Sequence, residues 1–186
     1  MVLPIVAYGD PILRKKAVAI DKDYPHLAKL IDDMFETMEK SKGVGLAAPQ
    51  INKFIRLFVV DSTRMYDDED DKAKGIREIF INAEMIKETG DDWKYEEGCL
   101  SIPNIREDVF RKANIKIKYY DREFKKHEKE FDDLNARVIQ HEYDHIEGKL
   151  FIDHIKALKR NLLKGRLEKI SKGDVDVTYK MKFPKK

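Results

Sequence analysis

The sequence predicts an α+β fold, with strands gathered before residue 131 and helices at the beginning and end of the chain. Apolar residues recur at three- and four-residue spacing near the start and again beyond residue 131, which indicates amphipathic helices. Between these regions, apolar and alternating runs indicate strands. No internal repeat or linker interrupts the 186 residues, so we expect a single domain over residues 1–186, of which about 173–186 form a lysine-rich tail.

The first predicted helix carries one apolar stripe, and a tight loop follows it. The stripe consists of Leu27, Leu30, Ile31, Met34, Phe35 and Met38. Asp23 is expected to cap this helix, with Pro25 in its first turn, and Gly43 to end it. Residues 43–50 are rich in small side chains and contain a proline, so we expect an ordered loop there.

Three strands are predicted in the middle of the chain. Residues 55–60 form an apolar run that only Arg56 interrupts, and residues 79–86 predict a second strand. Residues 114–119 alternate between polar and apolar side chains, which is typical of a half-exposed strand. The acidic stretch at residues 67–71 is expected to be a solvated connection, because adjacent like charges repel and stay hydrated.

Two further helices are predicted after residue 131. Asp132 or Asp133 is expected to cap the second helix, and Gly148 to end it. The third helix covers residues 154–171, with lysines and arginines around its apolar side. That apolar side consists of Ile155, Leu158, Leu162, Leu163 and Ile170. Residues 175–179 alternate in polarity, which fits either an edge strand or a frayed tail.

The charge and cysteine content exclude several classes of protein. Charged residues make up 39% of the chain, but 37 Lys and Arg nearly cancel 35 Asp and Glu, so we expect no DNA binding through bulk charge. No run approaches the about 18 apolar residues of a membrane-spanning helix, and the first residues show no secretory signal. Cys99 is the only cysteine, so a disulfide framework is excluded and a reducing, cytoplasmic location is expected.

Residues 141–145 read His-Glu-Tyr-Asp-His, which is an H-E-x-x-H motif. Two histidines four residues apart share one helix face, with Cβ atoms about 5–6 Å apart, and can reach one metal ion. Glu142 follows the first histidine and can act as base and then acid in a metal-dependent hydrolysis. The histidines share their face with Leu134 and Val138, and polar rings on a buried stripe need a partner such as a metal.

The third metal ligand is left open by this motif alone. In one class of zinc protease a histidine follows at a fixed spacing, but Phe151 occupies that position and cannot bind a metal. A zinc metallopeptidase could instead use the downstream Glu168, although basic residues surround it. The upstream Cys99 is another candidate, since its thiol is unpaired. A purely structural site closed by His127 or His154 is a non-enzymatic alternative.

Three motifs, in the same order along the chain, resemble those of the peptide deformylase family. They are Gly-Val-Gly-Leu-Ala-Ala-Pro-Gln at residues 43–50, Glu-Gly-Cys-Leu-Ser at 97–101 and the H-E-x-x-H motif at 141–145. The resemblance covers nearly the whole chain and implies a peptide-deformylase-like fold, in which small, mostly antiparallel sheets pack around a central metal-binding helix. It also implies removal of the N-formyl group from the formylmethionine of new polypeptides, with release of formate.

The resemblance also implies a role for particular residues of this sequence. The implied metal ligands are Cys99, His141 and His145. Glu142 would transfer the proton, and Gln50 and the backbone N–H of Leu100 would stabilise the oxyanion. The residues implied to bind substrate are Gly43, Gly45, Gly98 and Arg106. Glu97 is expected to pair with Arg111 and to brace the loop that presents the thiol.

Cofactor and partners follow from the same resemblance. One divalent metal ion per chain is expected, namely Fe²⁺, for which Zn²⁺, Ni²⁺ or Co²⁺ can substitute. The expected partner is the formyl-Met end of a nascent polypeptide, bound by a monomer in the cytoplasm and away from DNA and membranes. The basic third helix is hypothesised to contact the ribosome, because the family acts during translation.

Overall fold

A computed structural model describes residues 1–66 and 73–184 of the chain. The acidic stretch at residues 67–71 therefore lies outside the described residues. The helices are α1 (Leu27–Lys40), α2 (Asp133–Ile146) and α3 (Ala157–Ser171). The strands are β1 (Ile5–Val6), β2 (Gly45–Ala47), β3 (Leu57–Asp61), β4 (Arg77–Cys99), β5 (Ile102–Tyr120), β6 (Lys126–Phe131) and β7 (Met181–Lys182).

Within the described ranges, the strands form two sheets. Strands β2 to β6 follow one another in an antiparallel sheet of five, and β1 pairs in parallel with β7. The longest pairing joins β4 to β5, from Ile81 opposite Tyr120 to Cys99 opposite Ile102, with several register shifts. The predicted strands at residues 79–86 and 114–119 are thus only the apolar parts of two much longer strands.

Helix α2 lies at the centre of the molecule and packs against β2, β3 and β5. Ala136 and Ile139 are fully buried, in an apolar cluster with Phe58 and Phe80 of the sheet. Helix α1 covers β2 and β3 with the stripe predicted from sequence, and Ile31, Met34 and Met38 in it are fully buried. The predicted α+β architecture, with a central helix and helices near both ends, is confirmed.

The predicted start of α1 is wrong, because a tight turn precedes the helix. Helix α1 begins at Leu27, since His26 has a left-handed backbone (φ 58°) that separates the turn at Asp23 and Pro25 from the helix. Asp132 does occupy the N-cap position of α2, but its side chain makes no capping hydrogen bond. Gly148 ends α2 as predicted, with a φ of 74° that favours glycine.

Helix α3 also starts later than predicted, after a 3₁₀ turn over Phe151–Asp153. Its predicted apolar side is partly wrong, because Leu158 and Leu162 are 76% and 77% exposed. The buried side instead consists of Leu163, Leu167 and Ile170.

Two segments differ from their predicted structure, because strand pairing there was not evident from the sequence. Residues 43–50 are not a plain loop: they contain β2, which pairs with β3, and a 3₁₀ turn over Ala48–Ile51 follows. Residues 175–179 form no strand, and the tail pairs instead through β7. No helix in the described parts of the chain is long and apolar enough to cross a membrane.

Candidate active site

The hairpin between β4 and β5 brings the single thiol against the C-terminal half of α2. Cys99 is the last residue of β4, and His141 and His145 lie one turn apart on α2. One ligand atom from each of the three lies within 4.8 Å of the other two. The Cys99 Sγ is 3.3 Å from His145 Nε2, and the two imidazole rings are 5.1 Å apart at their centres. The three side chains therefore converge on one point.

The charge state of this cluster suits a divalent metal. Burial raises the pKa of the Cys99 thiol, but the neighbouring His145 and His141 outweigh burial and lower that pKa to about 5. Burial lowers the pKa of His141, whereas its hydrogen bonds to Cys99 and Glu97 raise it well above the usual value. A thiolate beside two imidazoles is a donor set that zinc or ferrous iron accepts. The residues present thus fit a bound metal ion.

Glu142 faces the cluster from α2 without a hydrogen-bond partner among the described residues. Its side chain is buried, and its Oε2 makes no hydrogen bond. Burial raises the pKa of Glu142 to about 7, against the opposing charges of His141 and His145. A Cβ atom on Gly45 of β2 would overlap the carboxyl group of Glu142. A glycine at this position therefore allows β2 to approach the carboxylate closely.

A buried carboxylate orients the first histidine. Glu97 accepts hydrogen bonds from Arg111 Nε at 2.7 Å and Nη2 at 3.0 Å, and from Arg137 Nη1 at 2.9 Å. Its Oε2 is also 2.9 Å from His141 Nδ1. Burial raises the pKa of Glu97, but the hydrogen bonds from His141 and Arg111 hold it well below the usual value. A carboxylate at Nδ1 fixes the ring so that Nε2 can face a metal.

Two residues that the sequence did not single out complete this network. Arg137 is almost fully buried on α2, one turn before His141, and also donates to the backbone carbonyl of Trp93 at 2.7 Å. Asp144 accepts from Arg111 Nη1 at 2.7 Å and lies 2.7 Å from His154 Nε2. The usable signal in the sequence was an arginine four residues before His141, on the same face of the predicted helix.

The side chain of Gln50 is fixed beside the thiol. Its Oε1 accepts a 2.8 Å hydrogen bond from the backbone N–H of Ala47, so the amide nitrogen points the other way. That Nε2 lies 3.4 Å from the Cys99 Sγ and 3.3 Å from the Ser101 Oγ. Leu100 occupies the turn next to the thiol, and its carbonyl accepts a 2.8 Å hydrogen bond from Tyr179. Both residues named from the sequence thus border the cluster.

A cavity of about 780 Å³ opens onto these groups. Gly43, Gly98 and Arg106 line it, and a Cβ atom on Gly43 would overlap Leu100. Arg106 pairs with Glu96 through a 2.8 Å contact between Nε and Oε2. Ile102 and Val138 give the cavity apolar walls, whereas Leu134 is not among its lining residues.

The alternative ligands lie elsewhere in the described structure. Glu168 is an exposed residue of α3 that pairs with Lys172 at 2.6 Å, so a metallopeptidase site with this downstream ligand is not supported. His127 pairs with Asp121 and lies outside the cluster. His154 contacts Asp144 and does not belong to the cluster either.

An H-E-x-x-H helix joined by a thiol at the end of a cavity defines the protein as a metal-dependent hydrolase. A family model described as polypeptide deformylase matches residues 2–161. A peptide deformylase of Cytophaga hutchinsonii is 56% identical over 184 residues, which are 99% of this chain and 98% of that protein. One of Christiangramia forsetii is 53% identical over 190 residues, covering 99% and 97%.

Solved structures agree with these sequence matches. A peptide deformylase from Legionella pneumophila has a TM-score of 0.80 and 36% identity, and the match covers 94% of this chain and 98% of that chain. The Thermus thermophilus structure has a TM-score of 0.82 and 36% identity, with coverage of 93% and 99%. The chain therefore belongs to the polypeptide deformylase family, and it is a hydrolase.

Proposed function

We propose that this chain removes the formyl group from the N-terminal formylmethionine of newly made polypeptides and releases formate. The family match supports the reaction. The observation that carries the mechanism is the unpaired, buried carboxylate of Glu142 beside the cluster of Cys99, His141 and His145. Such an arrangement suits proton transfer next to a bound metal.

The metal would be held by Cys99, His141 and His145, and we propose Fe²⁺, with Zn²⁺, Ni²⁺ or Co²⁺ as substitutes. When bound, a divalent ion polarises the formyl carbonyl and lowers the pKa of water. Glu97 keeps the ring of His141 in place through Nδ1, and Arg111 keeps Glu97 in place. The chain thus supplies a pre-oriented set of ligands.

Glu142 is the proposed base and acid. It takes a proton from the attacking water and later delivers this proton to the amine that leaves with the peptide. Because its Oε2 makes no hydrogen bond to any residue that the structure describes, the carboxylate can accept the proton without first breaking another interaction. Loss of such a group typically lowers the rate by about 10²–10⁴-fold.

Gln50 and Leu100 are the proposed donors to the formyl oxygen as negative charge develops on it. The amide Nε2 of Gln50 is aimed toward the thiol by the hydrogen bond that Ala47 donates to Oε1. The backbone N–H of Leu100 lies in the turn that directly follows Cys99. Donors that are fixed before the reaction lower the barrier because they need not reorganise as charge develops.

The cavity is the proposed site of the formylmethionine and the residues after it. Gly43, Gly45 and Gly98 line it, and their lack of side chains is proposed to let a peptide backbone approach. Ile102 and Val138 offer apolar walls for the methionine side chain, and Arg106 is proposed to orient the substrate backbone.

The test is formate release from formyl-Met-Ala-Ser by ferrous protein, measured without oxygen together with the metal content. We expect turnover by the native protein, and a Glu142→Ala variant that keeps its metal but loses turnover. A Cys99→Ala variant should lose both the metal and turnover. Native protein that binds iron and releases no formate would contradict the proposed function.

The finer expectations about partners follow from this reaction. We propose that the chain acts as a monomer in the cytoplasm, where nascent polypeptides appear, and that α3 contacts the ribosome. The support is that α3 carries exposed basic residues around the exposed Leu158 and Leu162. Co-sedimentation with ribosomes that weakens as salt increases is the expected result, and binding that is absent at low salt would contradict it.

A further inference from the structure

The C-terminal tail leaves α3 and returns to the hairpin that carries Cys99. The backbone carbonyl of Asp176 accepts a 3.1 Å hydrogen bond from the side chain of Asn104. The hydroxyl of Tyr179 donates to the Leu100 carbonyl at 2.8 Å. The N–H of Ile5 donates to the Lys180 carbonyl at 2.8 Å, just before β7 pairs with β1. Two of these bonds thus hold the tail against the hairpin, and the third joins it to β1.

This returning tail lines the catalytic cavity. Residues 176–179 all belong to the lining, as do Gly43 and Gly45. They lie beyond residues 2–161, which are the part that the family model matches. Val177 and Tyr179 are half-buried, whereas Asp176 and Thr178 are exposed. The segment therefore presents both an apolar and a polar surface to whatever enters the cavity.

We propose that residues 176–179 form a wall of the peptide groove and contact substrate residues that follow the formylmethionine. This inference rests on the proposed function, since it takes an extended peptide as the occupant. Asp176 gives the wall a negative charge, while the nearby Arg106 is already paired with Glu96. Lys42 and Arg64 also line the cavity and carry the opposite charge, so the preference assigned to this wall is the part that depends on Asp176. A basic residue in contact with the wall should bind better than an acidic one.

Tyr179 acts in addition as a positioning residue. Its hydroxyl holds the carbonyl of Leu100, and the N–H of the same residue is the proposed oxyanion donor. Leu100 lies in the turn that joins β4 to β5. The hydrogen bond from Tyr179 therefore fixes the peptide groups of this turn against the C-terminal tail. The tail would thereby both contact the substrate and orient the N–H of Leu100.

The charge of the wall is tested with two peptides, formyl-Met-Ala-Lys-Lys-Ser and formyl-Met-Ala-Glu-Glu-Ser. Their dissociation constants are measured on nickel-loaded protein in a Glu142→Gln background at low salt, so that binding is separated from turnover. Asp176→Lys should shift the ratio of the two constants toward the acidic peptide by about three- to tenfold. The matched control is Asp174→Lys, an equal charge change at an exposed residue outside the lining, which should shift it by less than about twofold.

An equal shift of this ratio in both variants, or no shift in either, would contradict the proposal that residues 176–179 form a wall of the groove. Failure of the proposed function looks different, because the native protein would then bind the peptides with the Asp176-dependent preference and release no formate. Formate release without a preference between the two peptides would contradict only the proposed wall and leave the proposed function standing.

The positioning role is tested with Tyr179→Phe, which removes one hydroxyl. We expect kcat to fall by about two- to tenfold with KM for formyl-Met-Ala-Ser unchanged, and the unfolding midpoint to fall only by the small amount that one lost hydrogen bond causes. Tyr24→Phe is the control, because Tyr24 packs in the same apolar cluster but does not line the cavity. A Tyr179→Phe protein with native kcat, or one that loses kcat only in proportion to its stability, would overturn this role.

Discussion

At the scale of single residues, hydrogen bonds hold the side-chain amide of Gln50 in one orientation. Its oxygen is engaged by the N–H of Ala47, and its nitrogen lies near both Cys99 and Ser101. Gln50→Ala should therefore lower kcat by about 10²–10³-fold, because one preorganised oxyanion donor is lost. Steady-state formate release gives the rate, and metal analysis provides the control: metal content equal to that of the native protein is expected. A variant with native kcat would exclude Gln50 as a donor.

Residues whose role depends on local spacing could be predicted. Of the tertiary pairings around the site, the pair of Glu97 and Arg111 was expected, whereas those of Arg137 and Asp144 were not. The histidines four apart on α2 share a face by helix geometry alone, and the motif at residues 97–101 pointed to Cys99. Asp144 lies inside the same motif, yet its contacts with Arg111 and His154 exist only after β5 and the turn before α3 pack on α2. Nothing in the local sequence distinguishes this aspartate from a solvated one.

At the element scale, apolar patterns located the strands but not their ends. Strands β4 and β5 extend far beyond the apolar runs that predicted them. The sequence did not indicate this extension, because residues 87–98 are mostly polar and do not show the two-residue period of a half-buried strand. Charged partners such as Lys94 and Asp108 pair across the two strands instead. In α3, the pattern misassigned Leu158 and Leu162 because the buried side of the helix is narrow.

The close packing of β2 on α2 carries a prediction for Gly45. Gly45→Ala should reduce formate release by more than tenfold, because the added Cβ would overlap the Glu142 carboxyl group and displace it. A tenfold loss corresponds to about 1.4 kcal/mol of lost transition-state stabilisation. Gly165→Ala on α3 is the control, since a Cβ there meets nothing within 4 Å. The control should keep native activity and gain about 0.5–1 kcal/mol in unfolding free energy. Equal activities of the two variants would show that the close approach of β2 does not matter.

At the scale of the whole molecule, the metal site joins parts of the chain that are otherwise held together only by packing and hydrogen bonds. Cys99 comes from the β4–β5 hairpin and both histidines come from α2, so an unfolded chain cannot present the three ligands together. An ion that binds only the folded state stabilises that state by mass action, by about 2.7 kcal/mol at one hundred times its Kd. For a chain of this length, adding nickel to metal-free protein should raise the Tm by about 5–10 °C.

The same measurement separates specific binding from weak surface effects. Cys99→Ala should abolish the rise in Tm, because two imidazoles remain and the thiolate that is charged near neutral pH is gone. His127→Ala removes a histidine outside the cluster and should keep the full rise. Calorimetry of the three proteins, with and without nickel, gives the result directly. A full rise in Tm in the Cys99→Ala protein would mean that the ion is held elsewhere, and the folded molecule would then not be organised around this centre.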